Sequence, residues 1–436
     1  MSINREILRI ALPAILANIA EPLLGLLDTA IAGHLGGARF LGAVAVGAMM
    51  LNVIYWHFEF LRMSTSGLTA QAFGASDRDR QAQALQRAIT VASLLGVAIV
   101  MLQYPLCRLA LWVISPSAEV YDLASMYFSI AVWGAPAVLV TMVVKGWLLG
   151  RQDSRSPMKI SIGVNVLNVV VSLVCVYVLD MGLAGIAVGT LVAVWIGVFY
   201  ALWLVFRRHG EVAWLINLRR STTVRLIDSR FFSLNIDIFL RSLFMMAVTL
   251  FFTSIGARSG DVILAVNAMM MQLFLLFSYF MDGFAFAGEA VVGKYYGASD
   301  YRMLGKSVNC LLMWGVIVTV PFTLLYALCP EPIYSLFTDE GEVVRASMDY
   351  RWWCAAVPVV GMAAFVWDGV FVGLTHTRGM LVTVLIAATL FFVLYYVLPL
   401  SMGNHRLWLA FIVFLATRSI VQTILYKKKL NKMVSN

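Results

Sequence analysis

Residues 73–77 read FGASD, and 223 positions further on residues 296–300 read YGASD. The same displacement carries Gly33 to Gly256, Gly37 to Gly260, Leu41 to Leu264 and Ala45 to Ala268. It also carries Gly146 to Gly369, Gly150 to Gly373 and Arg155 to Arg378. An offset held without a gap over so many points means that the chain is a unit written twice. The duplicated unit is apolar: hydrophobic residues make up 61% of the 436, charged ones 13%, and the mean hydropathy is +0.86. An average soluble chain carries roughly 25% charged residues.

Each crossing of a bilayer core takes about 20 apolar residues. The pattern places spans at 7–33, 41–68, 88–114, 121–149, 158–180 and 183–206, then at 231–256, 262–290, 307–329, 346–373, 380–400 and 404–426. The only long polar stretch is RRHGEVAWLINLRRSTTVRLIDSR (207–230). The expected division is a six-helix N-terminal lobe (1–206), a cytoplasmic linker (207–230) and a six-helix C-terminal lobe (231–436). Six is even, so both halves enter the membrane in the same direction. The expected fold is therefore all-α and polytopic: twelve transmembrane helices in two parallel lobes, pseudo-twofold along the membrane normal, with a cavity suited to alternating access. The N-terminus begins basic and turns apolar like a signal peptide, but it runs too long and carries Glu21 and Asp28, so it reads as a retained first span.

The net charge of +9 is a topology signal. With the N-terminus inside, 22 Lys and Arg fall on the cytoplasmic side and 6 on the other, the positive-inside asymmetry. Both termini are expected in the cytoplasm of a cell whose inner membrane holds the protein, and nucleic acid is not an expected partner. The five cysteines and five histidines are scattered without metal-ligand or redox spacing, so no metal and no cofactor is expected.

Ionisable groups within spans are costly and functional by default, at roughly 2.5–3.5 kcal/mol each on insertion scales. Those found are Glu21, Asp28, Glu59, Arg62, Lys145, Asp237, Arg241, Asp282, Glu289 and Asp368. Glu59 with Arg62 and Asp237 with Arg241 are three and four apart on a helix face, and each reads as an internal ion pair. Asp28, Lys145, Asp282 and Asp368 have no such neighbour. Loss of water disfavours the charged form of a carboxylate and makes it able to load and release a proton; Asp28 is the candidate. A permanent partnership with Lys145 or with asparagines is the competing reading. The offset sets Lys145 on Asp368 and Glu59 on Asp282, which points to a charged, cavity-lining layer made of Glu59, Asp237, Arg241, Asp282 and Asp368. Asn165, Asn168 and Ser172 lie along one face of the fifth span, either to hold Asp28 or a cation's shell, or to pack helices. The 22 methionines read as packing residues.

The stretches PLLGLLDTAIAGHLG (22–36), FLRMSTSGLTAQAFGA (60–75), GWLLGRQDSRSPM (146–158), NIDIFLRSL (235–243) and AVNAMMMQLFLLFSYFMDGFAFAGEA (265–290) resemble the multidrug and toxic compound extrusion family, in the branch of the DNA-damage-inducible F proteins. The resemblance covers nearly the whole chain. It implies a monomeric antiporter among membrane lipids, exporting organic cations or other amphipathic compounds against inward H⁺ or Na⁺. It further implies that Asp28 carries the family's first-helix coupling aspartate, Asn168 its fifth-helix asparagine and Thr190 its sixth-helix threonine; with Lys145 and Asn165 these form the expected coupling-ion group. Where many members have an aspartate one turn after that asparagine, this chain has Ser172, and where many have a fourth-helix asparagine it has Lys145. A lost carboxylate and a gained ammonium disfavour a Na⁺ site beside Asp28, so proton coupling is expected, with Na⁺ as the alternative.

Within transport, a lipid-linked oligosaccharide flippase would need several bases lining its cavity for a diphosphate. The intramembrane bases are few (Arg62, Lys145 and Arg241) and outnumbered by acids, which favours cationic substrates. A channel would need a filter or an oligomeric ring of charges, and an enzyme a nucleophile–base or metal constellation; the sequence offers neither.

Overall fold

The computed structural model describes residues 2–210 and 229–434. Residues 211–228, most of the expected linker, lie outside the described residues. Among the described residues twelve helical segments are long and apolar enough to cross a membrane. The chain divides into two compact units, Leu16–Asp228 and Met1–Ile15 with Ser229–Asn436.

In the first unit the elements are the second part of α1 (Ile3–Gly33), α2 (Ala38–His57), α3 (Glu59–Gly74), α4 (Arg78–Met101), α5 (Gln103–Ile114), α6 (Ala118–Ala131), α7 (Ala135–Gly150), α8 (Arg155–Leu173) and α9 (Gly182–His209). In the second they are α10 (Ser229–Arg258), α11 (Asp261–Gly297), α12 (Tyr301–Leu328), α13 (Pro330–Ser335), α14 (Gly341–Gly373), α15 (Thr377–Val397) and α16 (His405–Val434).

The duplicated GASD stretch is a helix stop joined to a helix start. In α3, Asp77 N–H reaches back to the Ala72 carbonyl (2.9 Å) while Ser76 turns left-handed at φ +56°. In α11, Asp300 N–H reaches the Tyr295 carbonyl (3.0 Å) and Ser299 also has φ +56°. Each aspartate then caps the next helix, accepting from Arg80 N–H (3.0 Å) or Met303 N–H (2.9 Å). The six-to-one bond closes one helix and the carboxylate satisfies a free amide of the other.

The duplicated glycines are helix crossings. A Cβ on Gly150 would lie 2.6 Å from the Ser66 carbonyl oxygen, and one on Gly373 would lie 3.0 Å from that of Glu289. One turn earlier, Gly146 abuts the Arg62 carbonyl and Gly369 the Ala285 carbonyl. Residues 62 and 66 become 285 and 289 under the 223 offset, so α7 crosses α3 as α14 crosses α11, backbone against backbone. Small residues four apart permit that approach in a membrane, where van der Waals contact holds helices together.

Two boundaries differ from expectation. The third span is Arg78–Met101, and the chain breaks before α5; the Pro105 ring cannot share a helix with the carbonyl four residues earlier, that of Met101. The first fifteen residues belong with the second unit, because Glu6 accepts from Lys294 Nζ (2.6 Å) and Tyr295 Oη (2.9 Å), and Asn4 from Trp314 Nε1 (3.3 Å). Gly283 leaves room there for the Ala11 carbonyl and Ile15.

Candidate functional site

In the first unit α8 and α9 are brought together by a ridge on α9 in which Gly185, Gly189, Ala193 and Gly197 recur every fourth residue. Gly189 faces Ser172, Gly185 faces the Cys175 backbone and Gly197 faces Val164. With no side chain between them, the polar groups of the two helices meet. Ser172 Oγ donates to Asn168 Oδ1 (3.0 Å), Asn168 Nδ2 donates to Thr190 Oγ1 (3.2 Å), and Thr190 Oγ1 donates to the Ile186 carbonyl (3.1 Å). On α6, buried Tyr127 hydrogen-bonds to Thr190 and lies within electrostatic reach of Asp28. Gly47 of α2 makes room for that ring.

Asp28, on α1, enters this group only 8% exposed. Its carboxyl has Asn168 as hydrogen-bonding neighbour, while Oδ1 is buried with no partner. Asn168 Oδ1 and Thr190 Oγ1 each already accept a hydrogen bond within the network. One unsatisfied carboxyl oxygen remains, an acceptor without a donor.

Of the expected coupling group, the structure brings Asp28, Asn168 and Thr190 together. Asn165 turns elsewhere, donating to the Ala20 carbonyl at 3.0 Å. Lys145 is half-buried on α7 and makes no hydrogen bond or ion pair among the described residues, so it does not join Asp28. Tyr127 was not singled out from the sequence. A signal existed: the 223 offset carries it to Tyr350, which stacks on His405 at 4.6 Å.

The five expected cavity residues are divided between the two units. Glu59 pairs with Arg62 within the first unit, as its spacing suggested. The other four lie in the second unit. Asp237 does not pair with Arg241, four residues on; it accepts from Thr377 Oγ1 at 2.9 Å instead. Arg241 pairs with Asp368, which also accepts from Arg418 (2.7 Å) on Oδ2 and from Gln422 (2.8 Å) on Oδ1. Two arginines share a carboxylate because a lone guanidinium in this interior would be uncompensated. Arg418 was missed although it falls inside the span expected at 404–426; it is 2% exposed. Asp282 accepts from Ser278 Oγ at 3.2 Å, within electrostatic reach of Arg418. Where the offset carries Asp28, Asn168 and Ser172, the second unit has Phe251, Phe391 and Tyr395, packed edge to face at 5.9 and 5.0 Å from the Phe251 ring. The polar station is built in one unit and filled with aromatics in the other.

Comparison with known proteins gives the same duplication. The MatE family profile matches residues 13–174 and 236–397, whose starts and ends both differ by 223. The chain is 36% identical to DNA damage-inducible protein F of Escherichia coli (strain K12), covering 98% of this chain and 93% of that one. It is 22% identical to multidrug resistance protein MdtK of Edwardsiella ictaluri (strain 93-146), covering 96% and 94%. Its fold is similar to the crystal structure of MATE in the bent conformation, with a TM-score of 0.86, 18% identity, and coverage of 100% of this chain and 97% of that one. A protein so matched in both of its repeats, across membrane-spanning helices throughout, belongs to the MatE family of transporters.

Proposed function

We propose that this protein is a secondary antiporter of the cell's inner membrane, with both termini cytoplasmic, that exports amphipathic organic compounds against an inward flow of protons bound at Asp28. The name of MdtK and the family's place among multidrug exporters support drug-like substrates. The observation that carries the coupling is the orphan Oδ1 of a buried carboxylate among neutral partners. A sodium ion needs several oxygens at once; here those of Asn168 and Thr190 are engaged in the network. A proton needs one. Protonation neutralises the buried carboxylate without moving any other group, and deprotonation restores a charge that only the Asn168 side and its neighbours offset. The competing readings are a Na⁺-coupled exporter of the same architecture and a lipid-linked oligosaccharide flippase. The second would have to bind a diphosphate, and Arg62, Arg241 and Arg418, all within spans, are engaged by carboxylates.

The test uses purified protein in liposomes loaded with a fluorescent amphipathic dye. An imposed pH gradient should drive dye movement without Na⁺, and a Na⁺ gradient at equal pH should not. Movement driven by Na⁺ and indifferent to pH would overturn proton coupling.

A further inference from the structure

Lys145 stands beside Gly146 at the α3–α7 crossing, and Asp368 stands beside Gly369 at the α11–α14 crossing. The two crossings use the same residues under the 223 offset, so these opposite charges occupy one position in two units of like fold. Their surroundings differ. Asp368 is met by Arg241, Arg418 and Gln422. Subtracting 223 gives Asn18, Trp195 and Phe199 in the first unit, none of them ionisable. The charge changed sign and no counter-charge followed it. Within the same unit, Glu59 is held by Arg62, and Asp28 lies in the Asn168 network without Lys145. Lys145, half-buried in the span Ala118–Gly150, has no ion pair, hydrogen bond or ring contact among the described residues.

An ammonium within a span is expensive, and such groups face a partner, a cavity or a pathway. We propose that the partner of Lys145 is the substrate: Lys145 binds an anionic group, a carboxylate or sulfonate, on the amphipathic compound that the protein exports. This rests on the export reading above and narrows its substrate class to organic acids and zwitterions. The proton and the substrate's charge then have separate stations in one unit, Asp28 for the first and Lys145 for the second. A lysine suits this role because its flexible stem carries a point charge that meets acids of many shapes, where an arginine fork would demand one geometry. It also removes the premise that few bases imply cationic substrates, since the base that matters is the one left unpaired.

The test measures binding of 11-(dansylamino)undecanoate and of its uncharged primary amide to the full-length protein in phosphatidylcholine nanodiscs, with protein-free nanodiscs as the partition control. Wild type should bind the carboxylate at least tenfold more tightly than the amide. Lys145→Gln and Lys145→Met should each bring that ratio close to one, and Lys145→Arg should keep most of it; size-exclusion profiles check that each variant is folded. Equal affinities in wild type, or a preference that survives in Lys145→Gln, would overturn the proposal and leave Lys145 as a lysine that reaches its helix end to meet headgroups. Failure of the export reading would look different: the charge preference would be present while no gradient drives transport.

Discussion

Asp28 and Asp368 are both buried carboxylates in spans, and their neighbours assign them opposite behaviour. Asp28 has neutral partners and an unsatisfied oxygen, so Asp28→Asn, which supplies a permanent donor in place of a proton, should leave the protein folded and abolish gradient-driven export. Asp368 compensates two guanidiniums. Asp368→Asn leaves them uncompensated and should cost about 3–5 kcal/mol, the usual penalty for breaking a buried pair. Thermal unfolding in detergent should show a large drop for Asp368→Asn and little change for Asp28→Asn. At this scale the sequence was partly legible. A lone aspartate late in an apolar span is visible in a string of letters, and so are amides three apart on one face. Which of two aspartates an arginine chooses is not: Arg241 passes over Asp237 on its own helix for Asp368 on another, and Asp237 accepts from Thr377.

Single helices and their ends carry a second set of expectations. Gly369 lies against the Ala285 carbonyl with no space for a side chain, so Gly369→Leu should separate α14 from α11 and remove folded, monodisperse protein from a size-exclusion trace. Asp77→Ala loses the cap of α4 and should cost about 1 kcal/mol, read as a lower unfolding temperature. His376, at the start of α15, is held below its ordinary pKa first by burial and then by Lys429, with Asp237 opposing. A histidine whose folded pKa is lowered contributes stability above its ordinary value of roughly 6.5, and that contribution is lost as pH falls through it. The unfolding temperature should therefore fall on acidification from pH 8 to 5.5 by less in His376→Gln than in wild type; an equal fall would remove His376 from that role. The repeat told where these elements begin and end because turn and crossing residues must recur when a fold recurs. It did not reveal the break at Met101, which depends on the single Pro105 in one copy.

At the scale of the molecule, a duplicated chain has differentiated. The same helix crossings frame Lys145 in one unit and Asp368 in the other, and the polar network around Asp28 is replaced by the Phe251 aromatic cluster. The duplication was readable from one constant offset; the difference between the copies lies in the partners of their side chains, which the offset does not give. One elementary charge crossing 100 mV releases about 2.3 kcal/mol, which corresponds to roughly fifty-fold accumulation of substrate. That gain exists only if a site changes charge during the cycle; among the described residues of the first unit, Asp28 is the carboxylate buried among neutral partners. The most direct measurement is dye accumulation in proteoliposomes under an imposed pH gradient, wild type against Asp28→Asn and Asp28→Glu. Asparagine should give no accumulation and glutamate partial accumulation; an asparagine variant that accumulates dye at the wild-type rate would contradict proton coupling at Asp28.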